Sequence, residues 1–360
     1  MTFEEARALF PVLGRYAYLN AGSFGPLPQV AADLLCEQAA VDAGRGRGGR
    51  PYLDEMLAAR GRTRQLVARL LGAQPEQIAL TSSTTDGCNI VLAGLGLARD
   101  DEIVTTDQEH FGLAGPVFAS GARVRVARVG SLAGDELVAA ITAEVGKRTK
   151  LIAVSHVLWT NGNVVDVHAL EQATRVPILV DGAQSVGAIP VDVGALDYYT
   201  VSGQKWLCGP ESTGALYVAD VAALRVARPG YFAQESFEPG GRYVVRAGAQ
   251  RFDPGWIPVG SLRAWEAAVG VAPEWRFERI REAAARCRDA LIGAEVTVVT
   301  EPDQAGLVTF VPRLDPEECA ARAYEQGVII RDLPGTGWAR ASCGWWTSDE
   351  DIDRLVEVAR

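Results

Sequence analysis

Apolar residues along this chain fall into two alternating kinds of run. Short, nearly continuous ones end abruptly on polar side chains: Ile78-Ala79-Leu80 before Thr81, Ile103-Val104 before Thr105-Thr106, Leu151 to Val157, and Ile178-Leu179-Val180 before Asp181. Between them lie segments with helical spacing, at 29–43, 53–72, 88–97, near 134–146 and at 168–174. The helix 53–72 carries Leu53, Met56, Leu57, Leu66, Val67 and Leu70 and stops at Gly72. Strands that are apolar throughout are buried on both faces. Their alternation with helices predicts an α/β fold, with a mostly parallel sheet covered by helices.

Residues 2–14 read as a short helix leading into a strand, Tyr16 to Asn20, and the turn Ala21-Gly22-Ser23-Phe24-Gly25. Past Val218 the pattern changes. A helix or turn at 219–227 precedes a polar, glycine-rich segment at 229–256. One long helical stretch, 261–292, then leads to strands at 295–300 and 306–312, a helix at 315–325 and a strand at 328–331. Ser348-Asp349-Glu350-Asp351 caps a final helix. The expected organisation is a large domain over 15–250 and a smaller α+β domain built from 1–14 and 251–360, since 360 residues exceed one ordinary domain.

Composition removes several function classes. A formal charge of −10 argues against general binding of nucleic acid or anionic membranes. The basic run GRGRGGRPY at 44–52 reads as a flexible surface loop, near a subunit interface, within that acidic whole. Three histidines and six scattered cysteines without ligand spacing predict no metal site. No stretch approaches the ~20 apolar residues of a membrane span, and MTFEEARALF is acidic with too short an apolar run for a signal peptide. The expectation is a cytoplasmic protein.

The candidate chemistry gathers at strand ends. Asp181 closes a buried strand, and Ser202-Gly203-Gln204-Lys205 follows the next one. A carboxylate and a lysine so placed suit pyridoxal phosphate, whose aldehyde bonds a lysine amine and whose ring nitrogen an acid keeps protonated. Ser82 to Gly87 is a set of small and hydroxyl residues entering a helix, which reads equally as an anion site or a plain helix cap.

With Ala183-Gln184 behind the acid and Gly209-Pro210 and Gly214 behind the lysine, the chain resembles the class V aminotransferases among fold-type I pyridoxal phosphate enzymes, in their cysteine-desulfurase-like branch. The resemblance implies a homodimer whose cofactor is bonded to Lys205. It implies that Thr84 and Thr85 grip the phosphate, that His110 stacks on the ring, and that Asp181 holds the ring nitrogen. Ser202, Gln204, Trp159, Thr160 and Gln184 complete the cofactor site, with Trp159 standing where desulfurases carry Asn. Asn20 borders the active-site mouth, and Arg340, in Arg340-Ala341-Ser342, takes the substrate α-carboxylate. Arg251-Phe252-Asp253-Pro254-Gly255 matches a further motif, with Trp256 in place of its usual hydroxyl residue.

Among members, the segments TTDGCNIVL, TTDQEH, SHVLWTNG and DQAGLVTF are most similar to L-cysteine/cystine C–S lyases. Those lyases hold two substrate carboxylates with arginines spaced like Arg331 and Arg340. Residues 331–338 contain no cysteine, so the mobile nucleophile of a desulfurase is missing. The resemblance therefore implies β-elimination from a cysteine-derived amino acid, with Lys205 moving the Cα proton. An aminotransferase or epimerase is the alternative.

Overall fold

The computed structural model describes residues 1–130 and 132–360. Seven strands form the main sheet: β1 (Ile78–Thr81), β2 (Glu102–Thr106), β3 (Arg123–Ala127), β4 (Thr149–Ser155), β5 (Ile178–Asp181), β6 (Tyr198–Ser202) and β7 (Gly214–Val218). Their spatial order is β1-β7-β6-β5-β4-β2-β3. All neighbours run parallel except β7, which is antiparallel to both β1 and β6. Every residue of β1, β2, β5, β6 and β7 is buried, as the unbroken apolar runs require. The edge strand β3 instead turns Arg123 and Arg125 outward, charges that discourage further strand pairing.

Alternate residues feed two cores. Val104, Ile152, Val154, Val180 and Val201 pack under helices 49–71, 134–143 and 167–174, whereas Ile103, Leu151, Ala153, Leu179 and Leu216 pack under helices 84–95 and 111–119. The result is three layers, helix, sheet and helix.

A second sheet, wholly antiparallel, has the order β8 (Thr297–Val298), β9 (Leu307–Val311), β11 (Trp338–Ser342), β10 (Arg331–Leu333). Helices Arg276–Gly293, Pro316–Glu325 and Asp349–Ala359 cover it. The N-terminal segment packs here too. Phe10 lies against Trp345 and Trp346, Arg7 pairs with Asp351 at 2.6 Å, and Ala17-Tyr18 pairs in parallel with Val328-Ile329.

Several boundaries differ from the sequence pattern, each for a local reason. The N-terminal helix covers only Phe3–Arg7, and a 3-10 turn at Pro11–Gly14 follows, because Pro11 cannot continue an α-helical ladder. The basic run 44–52 is not all loop. A helix begins at Gly49 and runs to Leu71, and Pro51 is tolerated because first-turn N–H groups lack helical partners anyway. The helix expected from Cys88 starts at Thr84, capped by the Ser83 hydroxyl, which accepts from Asp86 N at 3.1 Å. The stretch 261–292 is two helices, Val259–Gly270 and Arg276–Gly293, because Pro273 disfavours helix at Ala272 and removes a donor. The strand at 328–331 splits at Ile330, its first half joining Ala17-Tyr18 and its second the small sheet. The strand at 295–300 contracts to Thr297-Val298.

The glycine-rich segment 229–256 contains a hairpin, Gln234–Glu238 with Arg242–Val245, and then a buried anchor. Asp253, fully enclosed, accepts from Arg60, from Arg64 (2.6 Å) and from Leu80 N (2.9 Å). One carboxylate thus ties helix 49–71, β1 and this segment together. Removing it strands two buried guanidinium groups. Asp253→Ala is expected to lose roughly 3–5 kcal/mol, read as a lowered midpoint in urea unfolding; an unchanged midpoint would contradict the anchor.

Candidate active site

Six strands of the main sheet, all but β7, end on one side of the molecule, where ligands bind in parallel α/β sheets. β5 delivers Asp181, which is 3 % exposed and accepts from Ala183 N at 2.9 Å and Thr200 Oγ1 at 3.4 Å. Burial pushes its pKa up, opposed first by the Lys205 charge and then by these donors and the Thr84 hydroxyl. β6 leads to Lys205 three residues past its end. Desolvation lowers the Lys205 amine to about 8, Asp181 pulls it up, and Arg340 and Arg331 push it down further. Burial thus drives both partners of this pair toward their neutral forms. A cation brought against Asp181 would hold it ionised.

β2 leads to His110, the cap of helix Phe111–Ala119. Its Nδ1 accepts from Gly112 N at 3.0 Å, so in the neutral ring the proton sits on Nε2. Desolvation first, then Lys205, Arg331 and Arg340, lower its pKa to about 4. The imidazole is neutral at neutral pH. Beside it Trp159 stands edge-on, ring centroids 5.1 Å apart, with the Arg331 guanidinium 5.9 Å from the indole centroid.

The two arginines sit directly opposite each other on β10 and β11. Paired positions project to one face of a sheet, so two like charges share it. Arg340 is fully buried, and burial with the Arg331 charge lowers it to about 9, leaving it cationic. Its Nη1 donates to Trp159 O at 2.6 Å, while Nε and Nη2 have no partner among the described residues. Asn20 Oδ1, Ser342 Oγ and Trp159 Nε1 are likewise enclosed and unpaired. Gly22 makes room for this cluster: a Cβ there would lie 2.7 Å from Arg340 Nη2 and 2.9 Å from Ser342 Oγ. Arg331 is half-buried and donates to Ser23 Oγ at 3.2 Å.

Other predicted residues are engaged within the protein. The Gln184 amide donates to Gly22 O (2.9 Å) and accepts from Trp206 Nε1 (3.0 Å), stapling the 20–25 turn to the Lys205 loop. Thr160 donates to Gln108 Oε1 at 2.6 Å, so its hydroxyl proton is already committed. The donor left open at this corner is the Trp159 indole. Ser202 donates to Gln204 Oε1 at 2.8 Å, rigidifying the approach to Lys205. Of the threonine pair, Thr84 turns to Asp181, and Thr85 Oγ1 lies against Gly112 at the mouth of two helix N-termini. Sequence reasoning missed Glu109, Gln108, Ser23 and Ser342. Only the position of Glu109 beside His110 hinted at it.

The family model described as Aminotransferase class-V matches residues 28–355. Isopenicillin N epimerase of Amycolatopsis lactamdurans is 31% identical, the match covering 95% of this chain and 94% of that one. A probable cysteine desulfurase of Methanothermobacter thermautotrophicus is 30% identical over 99% of this chain and 97% of its own. Among solved structures, the cystine C–S lyase C-DES in complex with its reaction product cysteine persulfide superposes with a TM-score of 0.92 at 28% identity, covering 97% of this chain and 99% of that one. Fold and site therefore define a pyridoxal phosphate enzyme of fold type I. The chain belongs to the class V aminotransferase family, in its cysteine-desulfurase-like branch.

The residues present fit that cofactor. An enclosed carboxyl awaits a cation at Asp181, a lysine of lowered pKa stands nearby, and helix N-termini at Thr84 and Phe111 offer N–H groups to an anion. Gly22→Ala should push Arg340 out of place while leaving the Asp181–Lys205 pair intact. The expected result is a loss of about 100-fold in kcat/KM with cofactor content unchanged by absorbance. Parental kinetics would refute the cradle.

Proposed function

We propose that this enzyme is a carbon–sulfur lyase. It would eliminate sulfur from L-cysteine, L-cystine or a cysteine S-conjugate, giving pyruvate, ammonia and a thiol or persulfide. The observation that carries the reading is the arginine pair. Two guanidinium groups on one sheet face, one buried with two unpaired nitrogens, repel each other until anions sit on both. A cystine-like substrate carries two carboxylates. Arg340 would take the one on the reacting carbon and Arg331 the distal one, each bidentately.

Pyridoxal phosphate bound at Asp181 and Lys205 would supply an electron sink for charge developing at Cα. The chain's own groups do the rest. Lys205, lowered to about 8, exchanges a proton near neutral pH and would take the one from Cα. His110 would present Nε2–H above the reacting centre, and Trp159 would close that side against water. Buried thiols support elimination over persulfide transfer. Cys208 and Cys343 are enclosed with raised pKa values, which leaves them unreactive. A second reading, epimerisation at Cα, is favoured by the 31% identical epimerase. It would need Lys205 and His110 as bases on opposite faces.

The decisive assay incubates holoenzyme with cystine, cysteine and S-alkyl cysteines in deuterium oxide. Pyruvate release supports the lyase; recovery of the opposite enantiomer labelled at Cα, or transfer of the amine to a keto acid, overturns it. Arg340→Ala should lower kcat/KM for every substrate by roughly 30- to 1000-fold. Arg331→Ala should do so for cystine alone. Equal behaviour of the Arg331 variant and the parent would remove the second-carboxylate role.

A homodimer is part of the proposal. Tyr231 and Trp256, stacked with centroids 5.3 Å apart, are 57% and 61% exposed, and Phe237 and Tyr243 face each other across the neighbouring hairpin. Such an apolar surface favours a partner. Light scattering should give twice the chain mass; an active monomer would contradict it.

A further inference from the structure

The turn that carries His110 is fastened by three consecutive side chains to three separate parts of the fold. Asp107 Oδ1 accepts from Val129 N at 3.0 Å, and Gln108 Oε1 accepts from Thr160 Oγ1 at 2.6 Å. Glu109 turns inward. Its Oε1 accepts from Thr106 Oγ1 at 2.7 Å, and its Oε2 accepts from Ser155 N at 3.0 Å and Ser155 Oγ at 2.5 Å. The first two are neutral or exposed enough for water to replace them. Glu109 brings an ionisable carboxyl beneath the active site.

Its place there is specific. Ser155 ends β4, and its partner across the sheet in β5 is Asp181. The Glu109 carboxyl therefore lies one strand from the acid that faces the cofactor, and directly precedes the imidazole. The titratable groups facing it are Asp181 and the Cys88 thiol of helix 84–95. Burial holds Cys88 well above the usual thiol range, so it stays neutral. Burial and, more weakly, Asp181 raise the Glu109 carboxyl to about 7, against the hydrogen bonds from Ser155 and Thr106.

We propose that Glu109 is a positioning residue for the cofactor site: through Ser155 it locks the His110 turn onto the strand beside Asp181, and its negative charge strengthens the hold on a cation bound there. A plain structural staple would do the first and not the second. The two are separable because a charge acts at a distance and a staple does not. Removing a negative charge near a protonated imine or pyridine nitrogen lowers the pKa of that cation.

The test uses holoenzyme and the visible absorbance of bound pyridoxal phosphate titrated from pH 5.5 to 9.5, with thermal melting alongside. Glu109→Gln keeps volume and an acceptor but no charge. It should lower the absorbance midpoint by about 0.5–1 pH unit and weaken cofactor binding several-fold in dialysis. Glu109→Asp should keep the midpoint near the parent's. Ser155→Ala removes a hydrogen bond that favours the ionised carboxyl, so it should move the midpoint in the same direction as Glu109→Gln. It also keeps the proposal testable if the glutamine variant fails to fold. A midpoint unmoved in both Glu109→Gln and Ser155→Ala, whatever happens to melting, would overturn the proposal.

Discussion

A buried arginine without enough partners governs this structure. The Arg340 guanidinium is sealed from water, makes one hydrogen bond among the described residues and faces a second arginine across a strand pair. Burying an uncompensated cation is among the most destabilising things a fold can do. It persists because everything around it is over-determined. Trp159 O fixes one nitrogen, the Asn20–Gly22 turn is pinned by Gln184, and Asn20 bridges Ser342 in the small sheet. The free energy lost in keeping the guanidinium unpaired would be regained if an anion bound there, which is what the proposed carboxylate contact requires.

The same segment joins the two sheets. Residues 157–164 leave β4, deliver Trp159 to Arg340 and the Thr160 carbonyl to Thr309 Oγ1 at 2.7 Å, and seat Asn163 against Glu301 N. The arginine pair stands on the small sheet, and His110, Asp181 and Lys205 lie at or just past strand ends of the large one. The distance between the two sets is set by this loop. Its conformation depends on Gly162 in a left-handed turn, φ 80°, packed where a Cβ would meet Leu307 O.

Much of the fold was legible because buried parallel strands have no polar face. β1, β2 and β5 stand where their apolar runs stand, and the site residues follow because such strands end at one edge. Boundaries set by a single residue were less legible. Ser83 advances a helix to Thr84, Pro273 divides one helix into two, and Ile330 separates strands belonging to different sheets. Features made by long-range geometry were not legible at all. The family resemblance paired Arg331 with Arg340, but nothing in the residues themselves tells that Gly22 is small because Arg340 lies beside it, or that Glu109 reaches Ser155.

The electrostatic state of the site follows from one cause acting on unlike groups. Desolvation raises Asp181 and Glu109 and lowers Lys205 and His110, so each moves toward its neutral form. Arg340 is lowered by the same burial, yet only to about 9, which leaves it cationic at neutral pH. The pocket is therefore positive at the small sheet and lined, at the large one, by groups close to changing their protonation. In the proposed reaction an incoming amino acid would meet cations at its carboxylates and groups poised to exchange protons at its Cα. Two arginines can hold two anions at once only if both lie on the face they share, so under the proposed lyase reaction the spacing of a substrate's carboxylates, more than its sulfur, would be what this pair measures.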